Sequence, residues 1–278
     1  MTARTIGPVL MNGVITDPSE AAVSVFDIGF QRGYGCFEAM RSYDGNVFRL
    51  DGHLDRLRRS ADHLRVELSD RSVLRTWCTD VASGGDGVLR VYVTGGLDAS
   101  APGTDNVTVV FLEPLPALGQ SVRLDLLDAP WHADGHVSEL TGAKTLSYGP
   151  NLAATIEAKS KGFDDAALIG SGGVVLEGPT FSLGWVTDGV LFTPSLDSQI
   201  LESITREATL EAADRVGVEV SVGRFHSDAL LGSDEVLVMS TVREVMPVTA
   251  VAEVDFEPGA VTATLAHAFG ELVREETS

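Results

Sequence analysis

The stretch from Thr141 to Pro179 constrains the fold most, because it predicts a helix and two short strands in close succession. A helical pattern begins near Asn151 and ends at Gly162, a residue typical of helix C-termini. An apolar strand is predicted at 166–169, and a Ser-Gly-Gly turn separates it from a second apolar run at 174–176. Composition adds no collagen, coiled-coil or low-complexity character, so an ordinary globular protein with helices and strands is expected.

Lysine is scarce in this chain, and its three positions differ in kind. Lys159 and Lys161 lie on the polar side of the predicted helix, where a solvated surface is expected. The inward residues of that helix are predicted to be Leu152, Ile156 and small alanines. Lys144 precedes the helix and follows two small residues that allow another group to approach. Lysine forms Schiff bases with carbonyl compounds and arginine cannot, so Lys144 is a candidate for covalent chemistry, unless it merely caps a carbonyl.

A carboxylate and a phenol follow the lysine in the same stretch. The apolar run at 174–176 leads into Glu177, which predicts a buried acid that needs a partner. A protonated pyridine nitrogen is one such partner. Lys144, Tyr148 and Glu177 together match the aldehyde, the ring hydroxyl and the ring nitrogen of pyridoxal 5'-phosphate.

Several longer motifs resemble a known family. They are K-T-L-S-Y-G-P-N-L-A, G-F-D-D-A-A-L-I, E-G-P-T and D-G-V-L-F-T-P, and the resemblance covers roughly residues 20 to 270. The chain resembles the class IV (fold type IV) pyridoxal-phosphate aminotransferases, a family with branched-chain and D-amino acid aminotransferases, R-selective amine transaminases and aminodeoxychorismate lyase.

The resemblance implies an α+β fold of two domains. A small N-terminal α/β domain is expected at 1–115 and a larger, β-barrel-like C-terminal domain with helices at 129–278. The connection at 116–128 overlaps a segment rich in proline and glycine, which marks a boundary. A loop over 129–142 is predicted to lead to Lys144.

The cofactor phosphate needs donors and positive potential. The helix that begins near Ser203 offers free N–H groups and the positive end of its dipole, and a simple N-cap by Ser203 is compatible with anion binding. In the H-L-x-R-L pattern, the resemblance implies that Arg56 binds phosphate. The other positions that the resemblance implies for cofactor contact are Leu201 (against the ring), Ile204, Thr205, Ser240 and Thr241.

The substrate pocket departs from the standard patterns of the family. Branched-chain enzymes usually carry a tyrosine where this chain has Arg32, and the P-R-x-H carboxylate trap of D-amino acid enzymes is missing. Arg90, in V-L-R-V-Y-V-T-G-G, resembles a pocket arginine of branched-chain enzymes. The substrate carboxylate is therefore expected at Arg32 or, second, at Arg90, and the alternative is that Arg32 only pairs with Asp27. Phe37 and Val242 complete the predicted substrate-binding set.

Three further polar residues receive structural interpretations. Glu38 and Arg41, in G-C-F-E-A-M-R-S-Y, are expected to support the strand through an ion pair rather than to contact substrate. His53 is expected to be a satisfied helix residue. No His/Cys/Asp spacing suggests a metal site.

Charge and cysteine usage exclude some classes of partner. The net charge of −20 argues against nucleic acid and anionic membranes, and no apolar run is long enough for a membrane helix. Two cysteines, Cys36 and Cys78, give no disulfide framework, so a cytoplasmic protein is expected. The resemblance implies a homodimer.

The predicted function is a transaminase that moves an amino group from an amino acid or primary amine to a 2-keto acid. Two alternatives stay open. The run S-T-V-R-E-V-M-P-V is lyase-like and keeps aminodeoxychorismate lyase in consideration. A non-catalytic pyridoxal-phosphate-binding protein is the other, and the complete set of Lys144, Tyr148 and Glu177 argues against it.

Overall fold

The computed structural model describes residues 5–132 and 139–278, and it divides into two compact units. The first unit comprises the chain up to Pro116, residues 142–148 and the last three residues. The second comprises Ala117–Thr141 and Gly149–Glu275. Within the described ranges, no helix has the length and apolar character needed to cross a membrane. Of the predicted loop before Lys144, residues 133–138 lie outside the described part.

The first unit is built on a six-stranded antiparallel sheet with three helices. The strands are β1 (Ile6–Met11), β2 (Val14–Thr16), β3 (Gly35–Tyr43), β4 (Asn46–Val47), β5 (Gly87–Thr94) and β6 (Thr108–Glu113). The helices are α1 (Ile28–Arg32), α2 (Leu50–Leu64) and α3 (Arg71–Ala82). The strand order is β2-β1-β6-β5-β3-β4.

Local sequence explains most of this unit. The pair Asn12-Gly13 between two apolar runs predicts a hairpin turn, and the structure confirms it, since both residues have positive φ angles, 48° and 80°, between β1 and β2. The buried stripe of α2 includes Leu57, Ala61 and Leu64, which join one hydrophobic core with inward residues of β3 and β5.

The apolar run at 23–26 predicts a strand, and this prediction is wrong, because residues 23–24 have no regular structure and 25–26 form a turn. Val25 and Phe26 are 61% and 70% exposed, and among the described residues no neighbouring strand pairs with this apolar run. The chain then enters the short helix α1, which Asp27 caps by accepting the Gly29 N–H.

The second unit is built on an eight-stranded mixed sheet with four helices. The strands are β7 (Val122–Asp128), β8 (Asp165–Ile169), β9 (Ser182–Thr187), β10 (Val190–Pro194), β11 (Val220–Gly223), β12 (Glu235–Ser240), β13 (Glu244–Val251) and β14 (Val254–Asp255). The helices are α4 (Gly149–Ser160), α5 (Ile204–Arg215), α6 (Ser227–Leu231) and α7 (Ala260–Thr277). The order is β11-β10-β9-β12-β13-β7-β8, and β14 pairs with β13.

The orientation of α4 corrects a prediction about its buried face. Ala154 and Ala158 are buried, whereas Leu152 and Ile156 are each 60% exposed. Because alanines allow the helix backbone to approach the sheet closely, the helix packs through its small residues. The inward position of the alanines was predicted correctly, whereas the prediction that Leu152 and Ile156 also face inward is wrong.

Candidate functional site

Lys144 is a buried amine with aromatic neighbours. Its residue is 9% exposed, and its Nζ lies 3.2 Å from the Tyr148 hydroxyl and 4.5 Å from the centre of the Phe37 ring. Among residues 5–132 and 139–278, no carboxylate forms an ion pair with it. By contrast, Lys161 pairs with Asp125 and Glu157 on the second unit.

The backbone of the lysine segment is paired with the beginning of β3. The Phe37 N–H donates to the Lys144 carbonyl (3.0 Å), and the Leu146 N–H donates to the Gly35 carbonyl (2.8 Å). Only glycine fits at position 35, since a Cβ there would lie 2.3 Å from the Val93 carbonyl oxygen. This pairing explains why residues 142–148 belong with the first unit, whereas the predicted division assigned 129–278 to one domain.

Ser60 is a contact of Lys144 that sequence reasoning missed. The Lys144 N–H donates to the Ser60 hydroxyl (3.0 Å), which in turn donates to the Arg56 carbonyl (2.9 Å). Ser60 is 1% exposed. The available signal was a serine on the apolar stripe of α2, between Leu57 and Leu64, where a polar group needs a partner.

Phe37 belongs to a row of rings on the face of the sheet opposite to α2 and α3. It stacks on Tyr92 at 5.5 Å, and Tyr92 stacks on Phe111 at 5.8 Å. Tyr148 meets Phe37 edge-on at 5.0 Å. Burial raises the pKa of Tyr92. The lysine amine thus lies beside a flat, apolar wall.

Arg56 lies in a closed cluster of buried charges. Its Nε and Nη2 each lie 2.7 Å from an oxygen of Glu38, and His53 Nδ1 lies 2.8 Å from the same carboxylate. Burial opposes ionisation of Glu38, but the Arg56 charge and the hydrogen bonds outweigh it and hold the Glu38 pKa well below its usual range. Burial is the largest influence on His53 and lowers its pKa despite Glu38.

This cluster bears on the three structural interpretations. Glu38 does support its strand through an ion pair, but with Arg56 rather than Arg41, because residues three apart on a strand face opposite sides. Arg41 instead lies over the Tyr43 ring at 4.7 Å. His53 is satisfied by Glu38, as expected.

Glu177 lies in the second unit and is less buried than predicted. Its side chain is 17% exposed, and the Leu201 N–H lies 3.2 Å from each of its oxygens. His132 Nε2 is 4.0 Å away. The strand expected at 174–176 forms only isolated bridges. The backbone contact fixes Leu201 relative to the carboxylate.

The first turn of α5 has the form of an anion site. Ser203 caps the helix by accepting the Arg206 N–H at 3.2 Å, as predicted. Ile204 and Thr205 begin the helix, where N–H groups have no acceptor within the helix. Arg206, which sequence reasoning did not single out, is 7% exposed in this turn.

Ser240 is the last residue of β12, and Thr241 and Val242 follow it in the turn that leads to β13. Ser240 is 7% exposed, and its hydroxyl accepts the Arg243 N–H at 3.1 Å. The Arg243 guanidinium donates to Asp165 at 3.2 Å. Asp165 is 4% exposed and the Arg243 side chain is 19% exposed, and their ion pair ties the turn to the start of β8.

The two predicted carboxylate-binding arginines differ in environment. Arg32 is exposed in the last turn of α1. Asp27, the alternative partner predicted for Arg32, instead accepts hydrogen bonds from the Gly29 N–H and the Thr94 hydroxyl, each at 2.6 Å. Arg90 points from β5 and pairs with Glu113 at 2.7 Å. No group of three or more metal-ligating side chains occurs in the described ranges.

Comparison with protein families gives one match over most of the chain. The family described as amino-transferase class IV matches residues 35–251. Among individual proteins, a putative branched-chain-amino-acid aminotransferase of Methanocaldococcus jannaschii is 32% identical, with 86% of each chain covered. An aminodeoxychorismate lyase of Bacillus subtilis is 28% identical, with 92% of each chain covered.

Solved structures agree with these matches. A fold IV transaminase from Curtobacterium pusillum superposes with a TM-score of 0.85 at 30% identity, with 92% of each chain covered. The predicted α+β, fold type IV architecture is confirmed.

Proposed function

The chain belongs to the class IV aminotransferase family, whose members use pyridoxal phosphate, and we propose which of its residues carry that chemistry. The expected activity is transfer of an amino group from an amino acid or primary amine to a 2-keto acid. The observation that carries the assignment is Lys144: a buried amine, hydrogen-bonded to a phenol and unpaired with any carboxylate in the described ranges.

The residues present fit the cofactor. Lys144 is a buried amine that no carboxylate of the described residues pairs with, so its nitrogen is available for covalent attachment of a carbonyl group. An aromatic wall beside Nζ, here Phe37, suits a flat ring and excludes water. The capped first turn of α5 suits an anion such as phosphate.

Pyridoxal phosphate, when bound, supplies an aldehyde that condenses with amines and a ring that accepts the electron pair left at the substrate Cα. Lys144 Nζ would hold the cofactor covalently and, when free, would move the proton at the substrate Cα. The Tyr148 hydroxyl, 3.2 Å from Nζ, would orient the amine and would accept a hydrogen bond from the ring hydroxyl or donate one to it. Glu177 would keep the ring nitrogen protonated, and this would stabilise charge that develops on the ring.

The remaining cofactor residues serve the phosphate and the ring face. Arg56 supplies a guanidinium whose geometry is fixed by Glu38. Leu201 would pack against the ring, and its position is fixed by its N–H bond to Glu177. The donors proposed for phosphate are Ile204, Thr205, Ser240 and Thr241.

Lysine substitutions test the central residue against matched controls. Arginine keeps the charge but cannot form the covalent bond, so Lys144→Arg should abolish turnover and the yellow absorbance of the purified protein. Lys159→Arg and Lys161→Arg should keep both. Retained turnover in Lys144→Arg, or equal loss in a control, would refute the assignment.

The lyase alternative rests on the 28% identical relative of that name. A lyase eliminates pyruvate and needs no keto acid, whereas a transaminase stops after one half-reaction without one. Release of pyruvate from aminodeoxychorismate in the absence of a keto acid would favour the lyase. A spectrum that returns to the starting form only after a keto acid is added supports transamination.

We propose a homodimer, supported by the apolar surface of α4. Leu152 and Ile156 are four residues apart and both 60% exposed, so a second copy would bury them. Leu152→Glu should lower the sedimenting mass from two chains to one. Leu196→Glu, at a 42% exposed leucine elsewhere in the second unit, is the control and should leave the mass unchanged. A monomeric wild type would contradict the proposal.

We also propose the cytoplasm as the compartment. Cys36 and Cys78 are buried free thiols, and burial raises the pKa of each to about 12, so neither is reactive. Recovery of the protein from a secreted or membrane fraction of the native cells would contradict this.

A further inference from the structure

Arg206 is a buried cation, 7% exposed, with two neutral hydrogen-bond acceptors. Its Nε–H donates to the Thr193 hydroxyl at 3.0 Å, and Nη2 donates to the Pro194 carbonyl at 2.9 Å. In the part of the chain that the structure describes, no carboxylate pairs with it. Burial lowers its pKa.

The Thr193 hydroxyl and the Pro194 carbonyl accept hydrogen bonds from the Arg206 guanidinium, but neither carries a negative charge that would balance it. Neutral oxygens replace some of the lost hydration, whereas an ion buried without its opposite remains costly. Arg56 shows the alternative, because its partner Glu38 is fully buried and ionised. A protein with a net charge of −20 does not lack carboxylates, so the missing partner at Arg206 requires an explanation.

The position of Arg206 provides one. It follows Thr205 directly and lies in the first turn of α5, whose N-terminus carries a partial positive charge. Its acceptor Thr193 is fixed, since that hydroxyl donates to the Leu183 carbonyl at 2.8 Å. The guanidinium therefore fastens the first turn of α5 to the end of β10 and adds a full charge to that turn.

We propose that Arg206 is a positioning residue whose buried charge is balanced by the phosphate of the cofactor, while its hydrogen bonds hold the first turn of α5 in place. The proposal rests on the assignment of Ile204 and Thr205 to phosphate binding. Arg206 acts on the phosphate through the position of the turn and through the electrostatic field of its charge. Its own N–H groups donate to Thr193 and Pro194.

The test compares two ligands that differ only in the phosphate. Apoprotein is titrated with pyridoxal phosphate and with pyridoxal, and the ratio of the two affinities is the readout. Arg206→Gln keeps a hydrogen-bond donor but removes the charge. It should lower that ratio on the order of tenfold, the effect of one charge acting across about 10 Å of protein. Affinity for pyridoxal should stay unchanged.

Two charge-retaining variants serve as controls. Arg206→Lys should leave the ratio within about twofold, because the positive charge stays in the turn, whereas Thr193→Val, which removes one hydrogen bond and keeps the charge, should lower the ratio by less than Arg206→Gln does. Equal losses for both ligands in Arg206→Gln, or no change in the ratio, would overturn the proposal. If Arg206→Gln does not fold, a tenfold fall of the ratio in Arg206→Lys would overturn the role of charge.

The wild type separates this inference from the proposed function. If wild-type apoprotein binds pyridoxal and pyridoxal phosphate equally, the phosphate assignment itself is wrong. If wild type prefers the phosphorylated ligand and Arg206→Gln keeps that preference, only the role of Arg206 is wrong.

Discussion

The first unit and the second each bury an arginine, and they balance its charge in different ways. In the first unit, Arg56 pairs with a fully buried carboxylate, Glu38, and His53 Nδ1 contacts one of the two Glu38 oxygens. In the second, the described residues that accept hydrogen bonds from the Arg206 guanidinium offer a hydroxyl (Thr193) and a carbonyl (Pro194) but no carboxylate. Lys144 resembles Arg206 in this respect, since its polar contact is the Tyr148 hydroxyl.

The difference distinguishes a charge that is balanced within the protein, as at Arg56, from a charge that has no carboxylate partner among the described residues, as at Arg206. A closed cluster gains its energy from its own members and should be sensitive to loss of any one of them. A buried cation without a carboxylate partner destabilises the free protein. Binding of an anion or a carbonyl compound at that cation should therefore stabilise the protein. Substitutions in the Glu38 cluster should therefore change the free energy of unfolding, whereas substitutions at the proposed site residues of the second unit should change turnover or ligand affinity.

The largest expected effect is on stability, from Glu38→Gln. The change leaves the Arg56 charge buried without a partner and should lower the free energy of unfolding by about 3 to 5 kcal/mol. Urea denaturation at pH 7 measures this. Glu113→Gln is the matched control, because its partner Arg90 is partly exposed and the pair should contribute about 1 kcal/mol or less.

The same variant has a defined pH dependence. The pKa of Glu38 is lower in the folded than in the unfolded protein, so its stabilisation is complete above the unfolded value of about 4.3. It is lost as the pH falls toward the folded pKa. The gap between wild type and Glu38→Gln should be constant from pH 7 to 5 and narrow below. A gap that widens on acidification would contradict the ion pair.

In the second unit, Glu177→Gln should impair turnover rather than stability. The side chain is partly exposed and bonded to a backbone N–H, which the amide oxygen can still accept. The amide cannot hold a proton on the ring nitrogen. A hydrogen bond to a charged group contributes about 1.5 to 3 kcal/mol, so turnover should fall roughly ten- to a hundredfold with cofactor still bound. Unchanged turnover would mean that another group serves the ring nitrogen.

The smallest expected effect concerns substrate choice. If Arg32 or Arg90 binds the substrate carboxylate, its alanine variant should reduce kcat/KM for an amino acid about tenfold more than for an amine without a carboxylate. Arg90 already pairs with Glu113, so Arg90→Ala also tests whether that pair is exchanged for substrate. Equal losses on both substrates would make the arginines structural.

Much of this fold was predictable because its signals are local. The hairpin at Asn12, the helix over 71–82 and the turn at Asp188 follow from turn residues and apolar spacing, and the structure has each of them. The strand β13 was not predicted, since Pro247 within it weighs against a strand. The exposure of Leu152 was not predicted, because the sequence alone does not show which face of the helix packs on the sheet.

The candidate site was predictable where its residues follow motifs, and less so where contacts join distant segments. Lys144, Tyr148 and Glu177 could be selected from one stretch of sequence. Ser60 lies 84 positions from Lys144, and periodicity along α2 does not reveal whom its hydroxyl contacts. The uncompensated burial of Arg206 is likewise visible only in three dimensions.

The central claim is that Lys144 carries the cofactor, and one measurement tests it directly. Borohydride reduces the bond between lysine and cofactor to a stable secondary amine, so the visible absorbance should be lost and the label should remain through digestion. Peptide mapping by mass spectrometry should place the cofactor on Lys144. A label on Lys159 or Lys161, or a protein that releases all of its cofactor after reduction, would contradict the account.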